Sequence, residues 1–83
     1  MPIKQKMHRY PDDGHTTGVI AYNLGHDSIT VLFAEGWRYL YDSDKPGARH
    51  VKNMQELALQ GCGLGTYISQ HVRENYKKKW RED

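Results

Sequence analysis

Residues 33 to 42 read FAEGWRYLYD, and the fold turns on them. Trp37, Tyr39 and Tyr41 stand at alternate positions, so a strand here points all three rings to one side. That side is either the protein's own core or an open platform on which a nucleobase stacks. The connection to the preceding segment separates the two. A two-residue loop, Glu35-Gly36, sets the rings beside Ala34, Leu32 and Thr30. A three-residue loop, Ala34-Glu35-Gly36, sets them beside Phe33, Val31 and Ile29. The longer loop is a type I turn closed by a residue in the left-handed region, and Gly36 stands where a glycine is needed. It also gathers the strongest strand formers on one face, which a one-residue slip would divide. WRYLY therefore reads mainly as core, with Thr30, Leu32, Arg38 and Leu40 on the opposite face.

Working outward, residues 28 to 34, SITVLFA, alternate Ile29, Val31 and Phe33 on one face. Residues 17 to 23, TGVIAYN, read as an earlier strand, joined to it through the turn LGHDS. After residue 42 the Pro46-Gly47 pair breaks any regular element. Residues 49 to 60 then carry Val51, Met54, Leu57 and Ala58 at helical spacing. The glycines of GCGLG end that helix and make a tight connection. A second helix is expected from about residue 65 to 80, with Leu64, Ile68, Val72, Tyr76 and Trp80 each four apart and Arg73 and Lys77 on a neighbouring face. The expected architecture is α+β: a three-stranded antiparallel meander packed against two C-terminal helices. A meander cannot bury its aromatic face alone, so the helices must cover it.

The chain has 83 residues, enough for one small domain. Residues 16 to 83 are expected to form it, behind a flexible basic arm of residues 1 to 15 that includes the turn cluster PDDGH. Apolar residues make up only 37% of the chain and aromatics 11%, so the core must lean on a few large rings. No apolar run is long enough to span a bilayer, and MPIKQKMHRY does not read as a signal peptide. Cys62 is the single cysteine, so no internal disulfide forms and a reducing, cytoplasmic setting is expected.

The net charge of +2 is unevenly laid out. Residues 1 to 9 carry Lys4, Lys6 and Arg9 without an acid, and the middle of the chain is net acidic. Residues 66 to 83 carry Arg73, Lys77, Lys78, Lys79 and Arg81 against Glu74, Glu82 and Asp83. Basic ends point to an anionic partner, and they also serve to keep a terminus solvated.

The order of these pieces resembles the KTSC domain, named for a segment at the C-terminus of some lysyl-tRNA synthetases and also found as small stand-alone proteins. Tyr39-Leu40-Tyr41 matches that family's central Tyr-x-Tyr, and Val19-Ile20-Ala21-Tyr22 its upstream strand. Ile29, Val31 and Phe33 match its second strand, and Gly65, Tyr67, Ile68, Val72, Arg73 and Tyr76 its downstream order and spacing. The resemblance spans roughly residues 17 to 76. Two features depart from it: Ser69 stands where the family usually has Asn, and the loop DSDKPGARH is several residues longer. The resemblance implies the fold, and with it the RNA binding that the family's fusion to a tRNA-charging enzyme has prompted.

The basic cluster is the leading functional feature. Arg73, Lys77, Lys78, Lys79 and Arg81, joined by Arg38, would meet phosphates along one helix face, with Tyr76 and Trp80 interleaved for stacking. The plain alternative makes Tyr76 and Trp80 core stripe and the lysines a solvated face. The five histidines, His8, His15, His26, His50 and His71, show no zinc-finger or helical pair spacing and read as scattered surface residues. Cys62 with His71 or His50 lacks a third orienting group and reads as a buried filler, not a nucleophile. GCGLG lacks the Lys-Ser/Thr ending of a phosphate loop. Asp42, Asp44, Asp12 and Asp13 read as turn residues. The chain is thus expected to be a non-enzymatic binding module without metal or cofactor, for RNA or another nucleic acid. The alternative is a protein-interaction or regulatory module, docking a partner through the Leu32, Arg38 and Leu40 face or the basic helix.

Overall fold

The structure, a computed structural model, describes residues 7–10 and 18–81. Its centre is the expected meander: β2 (Val19–Leu24), β3 (Ser28–Phe33) and β4 (Trp37–Asp42), each antiparallel to the next. In β3 and β4, Ile29 faces Tyr41 and Val31 faces Tyr39, the register of the three-residue loop. Gly36 has φ 96 and donates its N–H to the Phe33 carbonyl at 2.8 Å, closing the turn. Tyr41 is completely buried, while Phe33 and Tyr39 are half-buried and pack against the same core.

The helix α1 (Ala48–Gln60) lies across this face and buries Val51, Met54 and Ala58. It ends at Gly61, whose left-handed backbone turns its N–H onto the Leu57 and Ala58 carbonyls. Gln55 ties it to the β2–β3 turn, donating to the Ser28 carbonyl at 2.8 Å and the Gly25 carbonyl at 3.1 Å. At the start of the β4–α1 loop, the Asp42 carboxylate accepts the N–H groups of Asp44 and Lys45.

Three features correct the sequence-based expectation. The sheet has five strands, not three, in the order β1-β2-β3-β4-β5. Strand β1 (His8–Arg9) pairs with β2, and β5 (Lys78–Arg81) pairs with β4. The described part of the expected arm is therefore docked, and Tyr10 is a core residue at 3% exposure; the rest of that arm lies outside the described residues. Finally, the second helix is short. It comprises α2 (Leu64–Tyr67) and a π-helical turn (Ile68–Val72), in which the Arg73 N–H reaches the Ile68 carbonyl at 2.6 Å.

The helix stops because Arg73 leaves helical space, at φ 43 and ψ −112. Leu64, Ile68 and Val72 are buried as the stripe of four predicts, but Tyr76 and Trp80 lie beyond the helix. Lys77 then donates its N–H to the Leu40 carbonyl at 2.7 Å and the chain joins the sheet. This pairing satisfies backbone groups along the β4 edge.

Candidate nucleic-acid interface

The basic cluster sits on a strand, so the shared helix face for Arg73, Lys77, Lys78, Lys79 and Arg81 does not exist. The β4–β5 register decides instead which side each residue takes. Trp37 pairs with Arg81, Arg38 with Trp80, Tyr39 with Lys79 and Leu40 with Lys78. Directly opposed residues share a face, and faces alternate along a strand. Lys79 and Arg81 therefore stand on the helix-bearing side with Trp37 and Tyr39. Lys78 and Trp80 stand on the other side with Arg38 and Leu40.

Each side interleaves cations with rings. On the helix-bearing side the Lys79 ammonium lies 5.0 Å from the Trp37 ring centroid, 5.8 Å from Tyr76 and 6.0 Å from Tyr39. The Arg81 guanidinium carbon lies 5.9 Å from the same Trp37 ring. On the opposite side the Lys78 ammonium is 5.6 Å from the Trp80 ring. These distances are within the range of cation–π attraction, which holds the long side chains along the strand. Lys78, Lys79 and Arg81 are exposed, while Trp37, Arg38 and Trp80 are half-buried.

The aromatic stripe of β4 is graded. Tyr41 is core, Tyr39 stacks on it at 6.4 Å between centroids, and Trp37 lies at the rim beneath Lys79 and Arg81. Burial pushes the Tyr41 phenol well above the usual tyrosine range, with the neighbouring Tyr39 and Tyr76 phenols adding to the shift. Its hydroxyl donates to the Arg73 carbonyl at 3.3 Å.

Two members of the expected set stand apart. Lys77 hydrogen-bonds the Asp44 carboxylate at 2.8 Å. That bond, with the opposite charge, lowers the Asp44 pKa and raises that of Lys77. The pair is exposed and thus screened by salt, and it sets a carboxylate against the Lys77 charge. Arg73 instead lines a cleft of about 180 Å³. The walls are Phe33, Tyr39, Tyr41 and Ile68, and Glu35 and Glu74 stand with Arg73 as its charged groups.

Cys62 is exposed, not buried as the sequence implies. His50 and His71, expected to be scattered, adjoin: the His50 Nδ1 is 2.7 Å from the Tyr67 hydroxyl, Asn53 donates to that hydroxyl at 3.2 Å, and the His71 ring lies 4.5 Å from the Tyr67 ring. Their spacing on α1 and across α2 into the π-turn makes this contact, which no motif announces. Among the described residues, no three His, Cys, Asp or Glu side chains converge on a metal site. No helix among them is long and apolar enough to cross a membrane.

Comparison with protein-family models, with curated proteins and with solved structures finds no match.

Proposed function

We propose that this chain is a non-enzymatic module that binds single-stranded nucleic acid, RNA above all, along the β4–β5 edge. The observation that carries this reading is the gathering of Lys79 and Arg81 with Trp37 and Tyr39 on one face of the β4–β5 pair. Cations alternating with rings give a strand what it needs: charge for the phosphates and flat surfaces for unstacked bases. Lys79 and Arg81 lie two residues apart on a strand, about 7 Å along its axis, and present two separated positive groups to one backbone. Binding of this kind is weakly sequence-specific and falls with salt. The resemblance to the KTSC domain, on the residues that carry it, supports both the fold and this reading. The exposed thiol of Cys62 accords with a reducing, cytoplasmic setting.

Titration of a labelled single-stranded RNA by anisotropy, at several salt concentrations, tests the proposal. Changing Lys79 and Arg81 together to Gln removes two phosphate contacts and lowers the salt slope by about 1.4, at roughly 0.7 per contact on a single strand. Absence of binding at low salt, or a Lys79 and Arg81 double variant that binds as tightly as the parent, overturns it. The protein-interaction reading then takes its place, with the Leu32, Arg38 and Leu40 face as the surface to probe.

A further inference from the structure

The cleft between the β3–β4 turn and the π-turn carries several marks of a ligand site. It is bordered by a π-helical turn, a geometry that recurs at functional sites. Arg73, which ends that turn, holds a positive φ of 43 that a non-glycine residue adopts only where its surroundings impose it. The Tyr41 hydroxyl, bonded to the Arg73 carbonyl, and the Ile68 carbonyl, bonded to its N–H, hold the residue there. The chain thus accepts strain where a guanidinium is brought to an aromatic-walled cleft.

The lining defines the ligand. At about 180 Å³ the cleft is below the roughly 300–1,000 Å³ of pockets for drug-sized molecules, so it suits one small ring system. Phe33 and Tyr39 meet edge to face, at 80° with centroids 5.1 Å apart, and offer apolar walls to a flat group. Arg73 opposes a cationic ligand, and the Glu35 and Glu74 carboxylates oppose an anionic one. A neutral ring with both donors and acceptors is what remains. Carboxylates accept two parallel N–H groups, and a guanidinium donates two to a pair of acceptors. Among the bases, guanine carries both complements: adjacent N1–H and N2–H₂ donors on one edge and the O6 and N7 acceptor pair on the other.

We infer that this cleft receives one unstacked guanine base, its donor edge on the Glu35 and Glu74 carboxylates and its O6/N7 edge on Arg73. The inference rests on the nucleic-acid reading of the β4–β5 edge and deepens it. Tyr39 is common to both, lining the cleft on one hand and lying beneath Lys79 on the other. A strand on β5 therefore has the cleft within reach of one of its bases.

The test uses the full chain and two kinds of probe. One is a pair of single-stranded RNAs, all uridine or with one central guanosine. The other is the set of four free nucleoside monophosphates, followed by amide chemical shifts. The single guanosine is expected to tighten binding roughly tenfold, as one good bidentate contact does. Guanosine monophosphate, and not its three counterparts, is expected to shift amides around Glu35, Ile68 and Arg73. The double variant Glu35→Gln, Glu74→Gln changes only exposed side chains, and is expected to lose the guanine preference while binding the all-uridine strand as before. If the all-uridine strand binds and guanosine adds nothing, or if the double variant keeps the preference, the cleft inference falls and the strand interface stands. If guanosine monophosphate occupies the cleft but no strand binds, the cleft stands as a guanine-nucleotide site and the interface reading falls. If neither probe binds, both are wrong.

Discussion

The backbone N–H of Leu64 donates to the hydroxyl of Tyr10 at 2.9 Å, in the interior of the protein. The bond joins the residue that follows β1 to the first residue of α2, 54 positions along the chain. An N–H at the start of a helix has no partner within the helix, and this one is buried. Tyr10→Phe keeps the ring and removes the acceptor. The variant is expected to lose about 1–3 kcal/mol, the cost of a buried donor left unsatisfied. Urea unfolding followed by circular dichroism measures it, and a loss below a few tenths would show that the N–H finds another partner.

Tyr41 gives the protein a sensitivity to alkali. Its folded-state pKa is raised, so the unfolded chain releases the phenolic proton first as pH rises. The stabilisation is full below the unfolded value of about 10, and is lost as pH climbs from there through the folded value. Unfolding free energy should therefore fall above about pH 10, and fall less steeply in Tyr41→Phe. Tyr41→Ala empties a fully buried ring site and is expected to cost ~3 kcal/mol or more at neutral pH.

Gly36 closes the turn that fixes the register. Its φ of 96 is one that L side chains rarely adopt, and an added Cβ would sit 3.3 Å from the Arg81 Nε. Gly36→Ala is expected to destabilise by about 1 kcal/mol or more, since the native backbone is incompatible with the new residue. It should also displace Arg81 from the Trp37 ring. Thermal unfolding reads the first effect and tryptophan fluorescence the second.

Arg73 sets backbone strain against the inferred guanine contact. Strain at a positive-φ residue costs roughly 1–3 kcal/mol, and glycine relieves it at an entropic cost of about 0.4–1 kcal/mol in the unfolded chain. Arg73→Gly keeps the N–H and carbonyl that bond to Ile68 and Tyr41. It is expected to raise stability by about 1 kcal/mol and to abolish the guanine preference. Arg73→Lys keeps charge and strain but loses the paired donors, so it should leave stability unchanged and also lose the preference. A destabilised Arg73→Gly would refute the strain account.

The meander and α1 were legible in the residue order because their signals are local. Alternation at Ile29, Val31 and Phe33, the glycine at position 36 and the stripe of Val51, Met54, Leu57 and Ala58 each act within a few residues. Steric limits on φ at Gly36 then chose one register out of two. The fate of residues 73 to 81 was not local. A spacing of four at Val72, Tyr76 and Trp80 satisfies a helix, but four is also twice the period of a strand, so the pattern admits both. What decided was the open edge of β4, whose backbone groups needed partners that only a distant segment could supply. The same holds for His8–Arg9 on β2 and for Tyr10 on α2. Pairing of this kind depends on where edges stand in space, and so the cations and rings of the candidate interface came together only in the tertiary structure. The sequence by itself determined which residues carry charge and which carry rings, and the fold decided which of them share a face.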